Sequence, residues 1–384
     1  MYNGYKVIDA DSHMMGPDEL WEKYLEPEYL PWSPVGNRST AGLRKLTTEG
    51  FSFSIGKTGQ IAPAYIQDGE GGLMTYQEAF KQYLERGFDA KSFLMYMDQS
   101  GIDYMVLYPT QALGLTASIS GMGRQVMSPT VADALYRAYN NWVYDFCNDG
   151  DNRLFGAGGV DLRNADLAAK EARRCVKELG MKALYILPQP ALGIPLHDPY
   201  YDVLWSEIAD LGVPMGIHGL QGATTVGKDY WGMWRLGIAS TSFPMEEQMA
   251  CVSLTGGGVL ERFPDMKVVF LESSAGWAPY WLWWCDDKWR QHGIVEEKET
   301  KNPPSFYFKR QCWISGEPDE PGFEYCVSFG LEDNLCTATD FPHPEDVHFP
   351  HALAEFFEEQ PKVLSEEQMR KILWDNPSKL YNIK

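Results

Sequence analysis

The chain is poor in positive charge, in cysteine and in long apolar runs. Of 384 residues, 33 are Lys or Arg against 53 Asp or Glu, a formal net charge of −20. A nucleic-acid surface needs a basic face, and anionic lipid attracts basic segments, so neither partner is expected. No apolar run approaches the roughly 20 residues of a bilayer span. The longest candidate, Ala275 to Cys285, is too short and too rich in Trp. The N-terminus MYNGYKVIDADSH has no basic segment followed by an apolar one, so no signal peptide is expected. The seven cysteines are dispersed and form no CxxC pair, which reads as reduced, buried thiols of a cytoplasmic protein. Repeats and low-complexity tracts are lacking. Aromatic residues are abundant: they make up 14% of a chain that is 44% hydrophobic, enough for a large core.

Short apolar runs recur: Lys6–Asp9, Tyr104–Tyr108, Leu154–Val160, Ala183–Leu187, Pro214–His218, Val268–Glu272, Gln311–Ser315 and Asn334–Asp340. They are continuous rather than alternating, as strands covered on both faces require. Helical periodicity follows several of them. Asp166 to Leu179 stops at Gly180, and Tyr200 to Leu211 stops at Gly212. Strand, helix, glycine, strand is the rhythm of βαβ units. Eight such strands favour a single (β/α)8 barrel spanning residues 1–384. About 95 residues separate the first two runs, far beyond the usual βα connection. Residues 38–75 are therefore expected to form a small insertion after strand 1. It is read as a β-hairpin that is either a lid over the site or a passive edge or oligomer contact.

In a barrel, the C-terminal ends of the strands converge on one axis. Metal-ligand side chains fall there repeatedly: Asp9, Asp11 and His13 after the first run, His218 after the fifth, Glu272 after the sixth, and Asp340 with His343 after the eighth. Asp11 and His13 are two apart, so an extended segment points both to one side. Two oxygen donors and two imidazoles suit Zn²⁺, Mn²⁺ or Fe²⁺, and mixed ligation without Cys favours an open, water-holding position. Each residue also has a plainer reading. His218 can be a hydrogen-bonded core histidine, Asp340 a cap and Glu272 an ion-pair partner. His343 can stabilise a turn.

The sequence resembles the amidohydrolase-related family over nearly its whole length. The resemblance is carried by Asp9 to His13, Gly101-Ile102-Asp103, Arg262 to Lys267, Glu272 to Trp277, Thr339 to Pro344 and Asn376-Pro377. This branch of the metal-dependent amidohydrolase superfamily includes aminocarboxymuconate semialdehyde decarboxylase and the resorcylate decarboxylases. The resemblance implies a distorted (β/α)8 TIM barrel and a homo-oligomer, dimeric or larger. It also implies one divalent metal held by Asp11, His13, His218 and Asp340, with Zn first and Mn or Fe as alternatives. The bridging lysine of two-metal relatives has no counterpart in Ala183–Leu187, which favours one ion; a second, held through Glu272, stays open. Asp9 would orient His13 or another ligand, or simply support the strand end. His343 would orient Asp340 or touch substrate. Trp231 and Trp234 would form an aromatic platform or an oligomer contact.

Decarboxylases of the family carry a His where this chain has Glu272. A carboxylate suits taking a proton from metal-bound water better than giving one to carbon. The expected function is therefore a metal-dependent hydrolase acting on an acyl substrate with a bulky apolar part, with Asp340 and Glu272 moving the proton. The alternative is nonoxidative decarboxylation of an aromatic or unsaturated acid. In either case the partner is a small molecule.

Overall fold

The computed structural model describes residues 1–17, 19–35, 42–43, 65–67, 73–110, 113, 115, 128–220, 226, 235–293, 299–343 and 352–384. Eight strands form one sheet in chain order: β1 (Ile8–Met14), β2 (Tyr104–Pro109), β3 (Leu154–Gly159), β4 (Ala183–Ile186), β5 (Pro214–His218), β6 (Lys267–Leu271), β7 (Cys312–Gly316) and β8 (Leu335–Thr337). Neighbouring strands run parallel, with helices between them, giving a nearly closed (β/α)8 TIM barrel. No described helix is long and apolar enough to cross a membrane.

Local chemistry sets the helix ends. Ala165–Lys177 starts where the Asn164 side chain accepts from the Leu167 amide at 3.0 Å. The helix Asp202–Leu211 ends where Gly212 turns left-handed at φ 69°. The strands are buried on both faces, as their unbroken apolar runs require. Gly216 in β5 matters for the barrel interior. A Cβ there would lie 2.8 Å from the Tyr108 ring, which instead fills the space beneath His218 at a centroid distance of 6.0 Å.

Strand β1 departs from expectation. Its ladder runs from Ile8 to Met14, not Lys6 to Asp9, with a register shift between Asp9 and Ser12. The polar run Asp9 to His13 is thus part of the strand and wholly buried. The last seam of the barrel is closed here. The His13 amide donates to the Phe341 carbonyl at 2.7 Å, and the Asp340 amide donates to the Asp11 carbonyl at 3.0 Å.

Most of the expected insertion, residues 38–75, lies outside the described residues. The described parts near it are two short antiparallel pairs, Pro34–Val35 with Gly42–Leu43 and Tyr65–Gln67 with Leu73–Thr75.

Candidate metal centre

The donors predicted at the strand ends meet at one point. His13 Nε2 lies 3.1 Å from His218 Nε2, 3.1 Å from Asp340 Oδ1, 3.5 Å from Glu272 Oε2 and 3.6 Å from Asp11 Oδ1. His218 Nε2 lies 2.9 Å from Glu272 Oε2 and 3.7 Å from Asp11 Oδ2. Two groups of donors can hold an ion, His13–Glu272–Asp340–His343 and Asp11–His13–His218. They share His13, whose Nε2 has a single lone pair.

Backbone carbonyls orient both imidazoles. His13 Nδ1 donates to Pro109 O at 2.9 Å, and His218 Nδ1 donates to Gly219 O at 2.6 Å. A carbonyl can only accept, so each Nδ1 carries the hydrogen and each Nε2 turns its lone pair inward. Asp11 Oδ1 is buried and accepts no hydrogen bond. A buried carboxylate oxygen without a donor is costly unless a cation takes its place. Facing imidazole lone pairs and an orphaned carboxylate oxygen fit a divalent ion.

The electrostatics agree. Burial pushes the Asp11 carboxyl up to about 7, although His218 and His13 pull it down. Burial also disfavours a charged His13, but Asp340, Glu272 and Asp11 outweigh it and hold the imidazole well above its ordinary range. His218 is raised in the same way, burial being outweighed by Glu272 and Asp11. Burial would raise Glu272, yet His218 and His13 hold it well below the usual carboxylate range. Asp340 is likewise lowered, its burial overcome by His343 and His13. The carboxylates thus build a field that attracts positive charge to the place where the Nε2 atoms meet.

Two of the carboxylates sit on left-handed backbone, Glu272 at φ 51° and Asp340 at φ 55°. Non-glycine residues rarely adopt this conformation, and it tends to gather at functional sites. His343 stacks on His13 at a centroid distance of 3.9 Å. Its Nδ1 lies 2.9 Å from Asp340 Oδ1, and its Nε2 lies 3.2 Å from Thr110 Oγ1.

Residues 59–383 match the sequence model of a family described as Amidohydrolase. The chain belongs to that family. This amidohydrolase is 24% identical over 300 residues to the gamma-resorcylate decarboxylase of Polaromonas sp. (strain JS666 / ATCC BAA-500), spanning 75% of its own length and 85% of the relative's. It is 27% identical over 240 residues to the 2-amino-3-carboxymuconate-6-semialdehyde decarboxylase of Dictyostelium discoideum, spanning 60% and 63%. A crystal structure of 5-carboxyvanillate decarboxylase from Novosphingobium aromaticivorans DSM 12444, with manganese and 4-hydroxy-3-methoxy-5-nitrobenzoic acid, shares the fold. Its TM-score is 0.70 at 19% identity, covering 100% of this chain and 97% of that one. The amidohydrolase is thus an enzyme of its superfamily with a divalent metal site. These relatives bear the names of carboxy-lyases and lend the expected hydrolase no support.

Asp9 lies at the strand end, where support of the strand was one of the two parts expected of it. It accepts from Ser12 Oγ at 2.8 Å, from the Thr339 amide at 3.1 Å and from Thr339 Oγ1, so it fastens β1 to the segment after β8 rather than turning His13. Asp9→Ala would strand these buried donors. We expect it to lower the unfolding free energy by about 2–4 kcal/mol, read from urea denaturation. A loss below about 0.5 kcal/mol would remove the fastening role. Trp231 and Trp234 lie outside the described residues. Trp283 and Trp284 are exposed with Tyr280 on the helix Ala278–His292. Sequence reasoning missed the carbonyls of Pro109 and Gly219, which no side-chain pattern reveals, and the buried Glu320.

Proposed function

We propose that this amidohydrolase is a metal-dependent, nonoxidative decarboxylase of an aromatic or unsaturated carboxylic acid. The observation that carries this reading is the reaction shared by curated relatives whose substrates differ. One is named for a resorcylate and the other for an open-chain muconate semialdehyde, and both names are of decarboxylases. The reaction is therefore better supported than any one substrate.

Asp11, His13, His218 and Asp340 would hold the ion, with Glu272 in reach. When bound, the ion supplies positive charge that grips the substrate carboxylate or a neighbouring oxygen and steadies the negative charge that develops. Three carboxylates against two imidazoles make a harder donor set than the expectation of zinc assumed. We favour Mn²⁺, which carboxylates suit, with Zn²⁺ second. As the C–C bond breaks, its electron pair stays on the substrate carbon, CO2 leaves, and one proton must reach that carbon. Glu272 faces His218 and His13, the two imidazoles that would hold the ion, and is better suited as a ligand, whereas Asp340 also faces His343, an imidazole outside the proposed ligand set. Asp340 Oδ1 and His343 Nδ1, 2.9 Å apart, are the pair that would hold the proton and deliver it.

The test is incubation of the Mn²⁺-loaded protein with a panel of hydroxybenzoic acids and unsaturated acids beside activated esters and lactones. We expect CO2 release and a carbon-bound deuterium in D2O. Acyl cleavage without CO2 would return the hydrolase reading. We further propose a homo-oligomer, supported by the exposed Tyr280, Trp283 and Trp284, and a cytoplasmic location, supported by the seven free cysteines.

A further inference from the structure

The turn that carries Glu272 is gripped from the next strand's loop. Glu272 and Ser274 both have left-handed backbone, at φ 51° and 61°. Two such residues so close together hold only where their surroundings over-determine them. The surroundings here centre on one buried side chain, Glu320, from the loop after β7. Its Oε2 accepts from Ser274 Oγ at 2.7 Å, and its Oε1 accepts from the Ala275 amide at 2.8 Å. The Glu317 amide also donates to Oε2, at 3.1 Å.

Glu320 is itself anchored from behind. The buried Gln360 donates through Nε2 to the Glu320 carbonyl at 3.2 Å and to the Pro318 carbonyl at 2.9 Å. The two loops approach closely at glycines: a Cβ on Gly322 would lie 2.6 Å from the Gly276 nitrogen. On the far side of the turn, Ser273 Oγ accepts from Trp277 Nε1 at 3.1 Å, and Cys326 Sγ donates to the Ala275 carbonyl at 3.2 Å. Among the described residues the turn therefore has one acidic clamp, whose side-chain partners are Ser274 Oγ and the amides of Ala275 and Glu317.

We propose that Glu320 is a positioning residue that aims the Glu272 carboxylate at the metal centre by clamping the Ser274–Ala275 turn. A carboxylate has the acceptor capacity that three converging donors need. An amide in its place brings hydrogens toward at least one of them, and the turn must yield. Glu272 Oε2, 2.9 Å from His218 Nε2, would then lose its aim. The inference rests on the metal-centre part of the proposed function and does not require that the reaction be a decarboxylation.

The test is a double-mutant cycle in the full-length protein, from Glu320→Gln, Glu272→Gln and the pair. It is read on the Mn²⁺ dissociation constant and, in parallel, on turnover. With Glu272 present, Glu320→Gln is expected to weaken Mn²⁺ binding about tenfold, the usual size for a group supporting a ligand. In the Glu272→Gln background it is expected to change binding by less than about twofold, because there is no longer a carboxylate to aim. Equal weakening in both backgrounds would mean a merely structural role, and unchanged Mn²⁺ binding with Glu272 present would mean no role; either overturns the proposal. If Glu320→Gln does not fold, Ser274→Gly carries the same cycle, since glycine keeps the left-handed turn while losing the hydroxyl. Absence of CO2 release from every acid would sink the decarboxylase reading alone, because the Mn²⁺ arm of the cycle needs no substrate.

Discussion

Asp340→Asn is expected to cut turnover about a thousandfold, the middle of the range for losing a general acid–base group. Asn keeps the size of the side chain and one oxygen donor, so part of the metal affinity should survive. What it loses is the ability to take a proton and pass it on. The site makes this loss severe because Asp340 Oδ1 sits between His13 Nε2 at 3.1 Å and His343 Nδ1 at 2.9 Å. Its neighbours on both sides are imidazoles. His343→Asn should cost less, about tenfold, since the carboxylate remains. Steady-state rates together with metal content by elemental analysis separate the two effects. An Asp340→Asn variant that retains metal and more than a tenth of the turnover would end its proton-handling role.

The second large effect is on stability. Stripped of metal, the protein should lose stability steadily as the pH rises from about 5 to 8. Burial raises Asp9 to about 6 and Asp11, despite opposing neighbours, to about 7. Each holds a proton in the fold that the unfolded chain, titrating near 4, has already released. Their contribution is therefore full at low pH and fades as the pH climbs to about 7. His13 and His218 extend the same trend. Their folded values lie above the ordinary imidazole value of about 6.5, so what they add is complete below it and disappears as the pH rises through those higher values. Glu272 and Asp340 are lowered and act the other way, but only below the ordinary carboxylate range. A divalent ion takes the place of the protons on its ligands, so Mn²⁺ should stabilise most at the alkaline end. Thermal midpoints between pH 5 and 8, with chelator and with Mn²⁺, test this. A metal-free midpoint that rises with pH would contradict it.

Much of the site was legible because a barrel gives strand ends a common destination. His218 and Asp340 needed only their place after an apolar run. The first strand was harder. Polar residues at Asp9 to His13 interrupt the apolar pattern, so the strand was expected to end where its functional half begins. What carries it onward is the seam with the segment after β8, a partner more than 320 residues away in sequence. Glu320 was invisible for a similar reason. The run Glu317 to Gly322 reads as a polar turn, and nothing local tells that one of its acids is buried against a loop 45 residues earlier. The expected and the proposed reactions part at Glu272. Its identity pointed to a base for water, while its surroundings, two imidazoles at 2.9 and 3.5 Å, support the proposal that it is a ligand and that the proton is left to Asp340 and His343.

The seam between β1 and the segment after β8 also governs when the metal can bind. Asp11 and His13 are synthesised well before Asp340, which follows more than 320 residues later. The Asp340 amide holds the Asp11 carbonyl at 3.0 Å, so the two ends of the barrel join at the centre itself. A nascent chain would carry both first-strand donors while the rest of the barrel is made, without a site to place them in. The ion would be admitted only to the finished barrel, where it joins the first strand to the segment after the last.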